Sequence, residues 1–186
     1  MDASALIAGQ VEVGENTRLA TTTGILEEVH SQTTQVRIAG WLDAGILMPM
    51  EPAPEFIAQA KAAATKSGDL RVLSPNDLAL LALALDVIKN HEGATVTMLS
   101  GDFAIENTAK FLNVKVDSIS PGIKKTIQWE WYCPACHKRG FKNPNARECD
   151  VCGTPLKRRD SAHRQDRQRS QKPSTQKLST QKPSRQ

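Results

Sequence analysis

The sequence predicts an α/β domain with a mainly parallel sheet, followed by a small cysteine-built module and a basic tail. Helix-like and strand-like segments alternate from Asp2 to about Ser120, which is typical of parallel strands joined by helices. Beyond Lys157 the composition collapses to Gln, Ser, Lys, Arg, Thr and Pro. Such a tract cannot offset its ordering entropy, so we expect it to be disordered. The only cysteines of the chain have the spacing Cys133-x₂-Cys136-x₁₂-Cys149-x₂-Cys152.

The first elements of the α/β region are predicted from apolar spacing. Residues 4–7 begin a small apolar helix. A short apolar strand is expected at 46–50, and an alanine-rich helix at 54–66 that ends at Gly68. Between them, residues 33–44 predict a helix with four apolar residues directed toward the core, namely Val36, Ile38, Ala39 and Leu42.

The second half of this region carries a clearer helix signal. Ser74 and Pro75 are typical of the N-cap and the first helical position. The apolar residues that follow are spaced for one buried face, formed by Leu78, Leu81, Leu85 and Ile88. The remaining predicted elements are a strand at 94–99, a helix at 103–112 closed by Asn113, and a strand at 114–119.

The cysteine spacing predicts a structural zinc site. Each Cys-x-x-Cys turn supplies two thiolates, and two such turns satisfy a tetrahedral Zn²⁺. A segment too small for a core of its own can fold around the metal. Two disulfides or a redox pair are the alternatives. No export signal is seen, and a redox pair needs one motif that opens a helix, so we expect Zn²⁺ on all four cysteines.

The charge of the chain is divided unevenly. Residues 1–126 hold 10 Lys and Arg against 15 Asp and Glu, whereas residues 127–186 hold 14 against 5. An acidic body with a basic end suggests a catalytic domain with a tail directed to nucleic acid, although a solubilising tail is the alternative. No stretch approaches the ~20 apolar residues of a membrane span. With no secretory signal, we expect a cytoplasmic protein without a membrane partner.

Four acidic residues fall where parallel sheets gather their functional groups. Asp102 follows a predicted strand, Asp77 lies in the first turn of the leucine-rich helix, Asp2 precedes the first helix, and the fourth acid is Glu28. Strand ends and helix starts share one edge of an open parallel sheet. Carboxylates that meet there would select Mg²⁺ or Mn²⁺. Each acid also has a simpler explanation, because the aspartates could cap helices and the glutamate could be solvated.

Several phrases of the sequence together resemble the PIN-domain nucleases. They are Asp2-Ala-Ser-Ala-Leu-Ile, Thr21-Thr-Thr-Gly-Ile-Leu-Glu-Glu-Val29, Thr65-Lys-Ser-Gly-Asp-Leu70, Leu73-Ser-Pro-Asn-Asp-Leu and Ser100-Gly-Asp-Phe-Ala-Ile-Glu-Asn-Thr-Ala109. With Trp129-Glu-Trp-Tyr-Cys-Pro-Ala-Cys following, residues 1 to about 159 resemble the archaeal Nob-type rRNA maturation endonucleases. The resemblance implies a three-layer PIN-like domain and a zinc ribbon. We therefore divide the chain into a nuclease domain at 1–126, a ribbon at 127–157 and a tail at 158–186.

The resemblance also implies the roles of the four acids. Asp2, Glu28, Asp77 and Asp102 would be catalytic, with Asp2 and Asp102 as the chief ligands of Mg²⁺ or Mn²⁺. Gly101 stands where the family often has another aspartate, and Thr23 where it usually has proline. The family has an apolar strand before its first aspartate, where this chain has only Met1. We therefore expect either a sheet that lacks most of a central strand or a natural start upstream.

The implied activity is metal-dependent hydrolysis of single-stranded precursor rRNA, which forms the 3′ end of small-subunit rRNA in the pre-ribosome. Divalent cations would activate water and stabilise the leaving oxygen. One alternative is a nonenzymatic RNA-binding assembly factor of the pre-ribosome, in which the acids only cap helices. Another is a toxin-like PIN ribonuclease, a class that rarely carries a zinc ribbon. No DNA partner is expected.

Aromatic and basic residues lie together in the ribbon segment. The candidates for RNA binding are Trp129, Trp131, Lys138, Arg139 and Lys142. Rings of this kind can stack on bases while the cations bind phosphates. Alternatively, Trp129 and Trp131 point to one face of a strand and pack the joint between the two domains. The sequence leaves both possibilities open.

Overall fold

Helices and short strands alternate along the chain, as predicted. A computed structural model describes residues 1–9, 11, 13–91, 93–119, 125–141, 143 and 146–161. Lys142 and the predicted tail beyond residue 161 lie outside this description. The elements are α1 (Ala3–Ala8), β1 (Leu19–Thr21), α2 (Thr23–Glu27), α3 (Gln32–Asp43), β2 (Leu47–Pro49), α4 (Pro54–Ser67), α5 (Pro75–Asn90), β3 (Thr97–Ser100), α6 (Phe103–Phe111), β4 (Lys115–Ser118), β5 (Trp129–Tyr132) and β6 (Lys157–Asp160).

The described strands of the α/β domain form two separate parallel pairs. Strand β1 pairs with β2 from Leu19 opposite Leu47, and β3 pairs with β4 from Thr97 opposite Lys115. Helices connect the strands of each pair, as parallel pairing requires. The predicted α/β class with parallel strands is therefore confirmed.

The segment Met1–Asp2 lies between the two strand pairs. The amino group of Met1 donates a hydrogen bond to the carbonyl of Ala20 in β1 at 2.7 Å. The backbone N–H of Asp2 donates to the carbonyl of Leu99 in β3 at 3.1 Å. This short segment therefore takes the place between β1 and β3 that the end of a central strand would take, and it carries Asp2 to the sheet edge.

Helix α5 forms the centre of the core. Its middle turns are buried on more than one face, because Leu80, Ala82 and Leu83 are buried together with the predicted Leu78 and Leu81. The burial decreases along the helix, so that Leu85 is partly buried and Ile88 is 43% exposed. The prediction that Ile88 joins the buried face is therefore wrong. No described helix is long and apolar enough to cross a membrane.

Helix α3 buries a narrower face than its apolar spacing predicts. Thr34 and Ile38, one turn apart, are buried, whereas Val36 is 71% exposed and Leu42 is 36% exposed. Residues two positions from Ile38 point to a different side of a helix. Val36 is therefore a surface residue, and the predicted apolar face of this helix is partly wrong.

The strands β5 and β6 form an antiparallel pair in the ribbon, with Trp129 opposite Asp160. The predicted boundary between ribbon and tail at 157/158 falls inside β6, so the ribbon sheet continues to Asp160. The basic composition concealed this strand. Cross-strand contacts stabilise this basic strand, because Arg159 donates to the Glu130 carboxylate at 2.8 Å across the pair.

Candidate functional site

Asp2 lies buried at the N-terminus of α1 with its carboxylate almost fully hydrogen-bonded. Its Oδ1 atom accepts hydrogen bonds from the backbone N–H of Ala5 and the hydroxyl of Ser4, both at 2.8 Å. The hydroxyl of Ser100 donates to Oδ2. A carboxylate offers about four lone-pair positions, and three are used here. One position remains for a ligand.

Two serine hydroxyls connect Asp2 to the loop that carries Asp102. Ser100, the last residue of β3, donates to Asp2 and accepts from the backbone N–H of Asp102 at 3.0 Å. Ser4 donates to Asp2 and accepts from the N–H of Gly101 at 2.8 Å. Sequence reasoning missed Ser100. Its signal was its position at a strand end, two residues before Asp102.

Asp102 is exposed and caps α6. Its Oδ1 atom accepts from the backbone N–H groups of Ala104 and Ile105 at 2.6 and 3.3 Å. Its Oδ2 atom forms no hydrogen bond with a described residue. Asp102 is therefore held by one oxygen and presents the other to solvent or a ligand.

Asp77 and Glu28 are each held through one carboxylate oxygen. Asp77 forms a capping box with Ser74, in which Oδ2 accepts from the Ser74 N–H at 2.7 Å and the Asp77 N–H donates to the serine hydroxyl at 3.1 Å. Glu28 lies just after α2, and its Oε1 atom accepts from the amide of Asn76 at 2.7 Å. Asn76, next to Asp77 on α5, thus holds Glu28 beside the same helix start.

The electrostatics of Asp77 show that three of the predicted acids share one region. Burial raises the pKa of Asp77, and the hydrogen bonds from Ser74 oppose this shift. The negative charges of Asp102 and Glu28 raise the pKa of Asp77 further. Carboxylates that repel one another in this way gain stability from a shared cation. The ends of β3 and the starts of α1, α5 and α6 therefore form the candidate site.

The donor set of this site fits a hard divalent cation. All four candidate ligands offer carboxylate oxygens, which Mg²⁺ and Mn²⁺ prefer. No three described carboxylates bring ligand oxygens within 4.8 Å of one another. The arrangement is therefore more open than a closed cage of protein ligands, as is usual for Mg²⁺, which keeps several waters.

The four cysteines form a second, much tighter cluster. Their sulfur atoms all lie within 4.8 Å of one another, and none is in a disulfide. Cys133 and Cys149 are buried, whereas Cys136 and Cys152 are exposed. One buried and one exposed sulfur from each Cys-x-x-Cys turn produce a compact four-thiolate group. Such a group fits tetrahedral Zn²⁺.

The tryptophans of β5 lie at the joint between ribbon and α/β domain. The indole Nε1–H of Trp131 donates to the carbonyl of Gly68 at 3.1 Å. Gly68 has φ +81°, and a Cβ atom there would lie 2.3 Å from the carbonyl oxygen of Trp129. The contact is too close for any residue except glycine. The joint-packing alternative for both tryptophans is therefore realised, and RNA contact by them stays a prediction.

A buried carboxylate completes this joint. Asp69 is fully buried and forms an ion pair with Arg158 of β6, 3.1 Å from carboxylate oxygen to guanidinium nitrogen. Asn107 of α6 donates to Asp69 at 2.7 Å, and its amide also pairs with the backbone N–H and C=O of Ile127 at 2.8 and 2.7 Å. Burial raises the pKa of Asp69, opposed by Asn107, Ser67 and Arg158. No role was predicted for Asp69 or Asn107, whereas Arg158 was assigned to the basic tail at 158–186.

The predicted basic contacts of the ribbon are engaged with acidic neighbours. Lys138 forms an exposed ion pair with Asp150 at 2.7 Å, which raises the pKa of the lysine. Arg139 lies 3.7 Å from the carboxylate of Glu130. Exposed pairs of this kind are weak, so both cations can exchange an acidic partner for a phosphate.

Comparison with known proteins identifies the family of this chain. Residues 1–87 match the model of a PIN domain of ribonuclease. The chain is 30% identical over 137 residues to endoribonuclease Nob1 of Pyrococcus abyssi, covering 74% of this chain and 81% of the relative. It is 30% identical over 160 residues to the Nob1 of Methanothermobacter thermautotrophicus, covering 86% and 91%. The Nob1 of Methanocaldococcus jannaschii is 34% identical over 160 residues, covering 86% and 76%. This chain, a PIN domain followed by a four-cysteine ribbon, belongs to the Nob1 family of endoribonucleases.

Proposed function

We propose that this endoribonuclease cleaves single-stranded precursor rRNA in the pre-ribosomal small subunit and so forms the 3′ end of small-subunit rRNA. Family membership supports the substrate class. The observation that carries the catalytic assignment is the Ser100 hydroxyl, which donates to the Asp2 carboxylate and accepts from the backbone N–H of Asp102, and so joins two of the four acids at the end of β3. Helix capping alone would not require this link.

The acids have different roles in this proposal. Asp2 and Asp102 are the chief ligands of Mg²⁺ or Mn²⁺, since the serine hydroxyls hold them in fixed relation. Glu28 and Asp77 add negative charge and position the attacking water through hydrogen bonds. When bound, one or two divalent cations activate that water and stabilise the leaving oxygen. The protein itself contributes the fixed placement of the four carboxylates, which requires no rearrangement during the reaction.

The ribbon has a structural role in the same proposal. Zn²⁺ held by Cys133, Cys136, Cys149 and Cys152 stabilises the fold of a segment whose own core consists of few residues. Ile127, just before the ribbon sheet, hydrogen-bonds to Asn107 of α6, the helix that Asp102 caps. RNA that binds the ribbon therefore lies near the cleavage site. We also propose a cytoplasmic location for this activity.

A cleavage assay with and without Mn²⁺ tests the proposal. The substrate is an RNA that spans the 3′ end of the cell's own small-subunit rRNA, compared with an unrelated single-stranded RNA of equal length. We expect Mn²⁺-dependent cleavage at one phosphate of the first RNA only. Asp102→Asn should reduce the rate at least a hundredfold with RNA affinity nearly unchanged, on the order of the loss for one essential charged group. Asp43→Asn, which removes an exposed aspartate at the end of α3, is the matched control.

Two results would contradict the proposal. Turnover of Asp102→Asn at the wild-type rate would refute the active-site assignment. Tight binding of the rRNA segment without cleavage at any metal concentration would favour the nonenzymatic assembly factor instead.

A further inference from the structure

A cleft of about 490 Å³ lies between the nuclease domain and the ribbon, and none of the four carboxylates lines it. Leu70, Arg71 and Leu73, which connect α4 to α5, form one wall, while Trp131, Arg147 and Leu156 of the ribbon line the other. This volume is within the range of ~300–1,000 Å³ that is usual for small-ligand sites. Neither domain contains the cleft alone.

The chemistry of the cleft favours a ligand that is both flat and anionic. The Arg71 guanidinium lies over the Trp131 ring, 4.4 Å from its centroid. Arg147 is exposed and forms no ion pair with a described residue. No acidic residue is found among the described residues that line the cleft. A planar cation on an indole, apolar walls and a second cation at the rim are the features that bind an unstacked base and its phosphate.

The joint holds the two walls at a fixed distance. Trp131 is fixed by its hydrogen bond to Gly68, three residues before Arg71. Asp69, next in sequence, is fixed by its ion pair with Arg158 of β6. Arg71 itself donates to the backbone carbonyl of Asn143 in the ribbon at 3.3 Å. The cleft is therefore preformed, which lowers the entropic cost of binding.

The cleft is also close in sequence to the catalytic edge. Leu73 immediately precedes Ser74, which caps α5 and bonds to Asp77. Arg71 and Asp77 are separated by six residues, so their Cα atoms are at most about 20 Å apart. A single strand of RNA can reach from one site to the other over a few nucleotides.

We propose that this cleft binds one unpaired nucleotide of the RNA substrate, a few positions from the cleaved phosphate. The base stacks face to face on the Arg71–Trp131 pair, and Arg147 binds the neighbouring phosphate. The inference rests on the proposed function, since it takes RNA as the substrate. It adds two arginines and a defined subsite that spans both domains.

A scan with abasic nucleotides tests the subsite. The probes are short single-stranded oligoribonucleotides with the mature 3′-end sequence, each with one base removed at a successive position. Affinity is measured by fluorescence anisotropy without divalent cation, so that no cleavage occurs. With the wild-type protein we expect one position where base removal weakens binding about tenfold, as for the loss of one stacked base. With Arg71→Ala the intact probe should bind about tenfold more weakly, and the sensitivity at that position should disappear.

Arg147→Gln keeps the test independent of the joint, because Arg147 is exposed and its substitution should not disturb folding. We expect weaker binding of all probes. The slope of log affinity against log salt concentration should fall by about the amount for one phosphate contact. Arg18→Gln removes an exposed arginine elsewhere and is the matched control. An abasic scan with no sensitive position, or equal effects of Arg147→Gln and Arg18→Gln, would overturn the subsite. Cleavage assays with Mn²⁺ separate the two proposals. Normal cleavage at the mature 3′ end, together with an abasic scan that has no sensitive position, would refute the nucleotide subsite but leave the proposed function standing.

Discussion

Three aspartates of this protein each cap a helix and also place a carboxylate in the candidate site. Asp2, Asp77 and Asp102 all accept hydrogen bonds at helix starts, as the simpler explanation of the sequence predicted. The capping contacts also fix each carboxylate at the sheet edge, and one oxygen of Asp102 stays without a protein partner among the described residues. Capping therefore supplies the fixed geometry that a metal site needs.

The raised pKa of Asp77 leads to a prediction about stability and pH. A carboxyl whose pKa is higher in the folded state favours folding most when protonated, and this contribution is lost as the pH rises through the folded pKa. At neutral pH without divalent cation, Asp77→Asn should therefore raise the melting temperature by a few degrees, since asparagine retains an oxygen for the capping box. The gain should vanish at pH values below the ordinary pKa of Asp, about 3.9.

Thermal unfolding at a series of pH values, with and without Mn²⁺, measures this effect. Mn²⁺ should stabilise the wild-type protein more than Asp77→Asn, because it neutralises the same repulsion. Glu27→Gln removes an exposed acid next to Glu28 and controls for net charge. A pH-independent difference between Asp77→Asn and the wild type would show that the electrostatic account of this residue is wrong.

At the scale of elements, the turn after α4 is fitted to the ribbon strand β5. Gly68→Ala should loosen the joint, since the added Cβ would meet the Trp129 carbonyl and the left-handed backbone costs about 1–2 kcal/mol for a non-glycine residue. We expect Gly68→Ala to lower the free energy of unfolding by more than this backbone cost. Gly93→Ala has almost the same backbone angle, φ +84°, with no atom near the added Cβ. The difference between the two variants in chemical denaturation measures the contact alone. Equal destabilisation by both would mean that the joint tolerates the methyl group.

We expect the folding of the whole ribbon to depend on zinc bound by the four cysteines. Cys149→Ser should release zinc and unfold residues 130–156, because metal binding supplies folding free energy on the order of 10 kcal/mol. The nuclease core should remain folded, but loss of Arg158 from the joint leaves Asp69 without its ion-pair partner, so a smaller destabilisation is expected there. Metal analysis and NMR check this. Val151→Ser, at a residue that is 65% exposed in the same turn, should keep both zinc and ribbon signals.

At the scale of the whole molecule, an acidic nuclease domain is combined with a basic C-terminal part. Residues 162–186 hold seven Lys and Arg against one acid. Deletion should start after Ser161, because Arg158 and Arg159 belong to β6. We expect the truncated protein to bind RNA more weakly, with a salt slope reduced by at most about 5, since seven cations on a single strand release about 0.7 ions each. The cleavage position should not move. An unchanged salt slope would mean that the tail only aids solubility.

The sequence alone determined the parts of this protein that depend on local chemistry. Periodic leucines and Ser74-Pro75 located α5, Gly68 located the end of α4, and the left-handed Asn113 closes α6 as expected. The spacing of four cysteines was enough to predict their cluster. These signals could be read because a cap, a helix period or a chelating turn involves residues only a few positions apart.

Only the tertiary structure decided which distant residues meet. Asp69 and Arg158 are 89 residues apart, and Ser100 and Asp2 are 98 apart. No local pattern marks such pairs, because the neighbouring residues in the sequence do not show whether an aspartate is buried or exposed. The surface position of Val36 and the strand at 157–160 were missed for the same reason. Burial and strand pairing depend on what packs against a segment, and that partner is supplied by the fold.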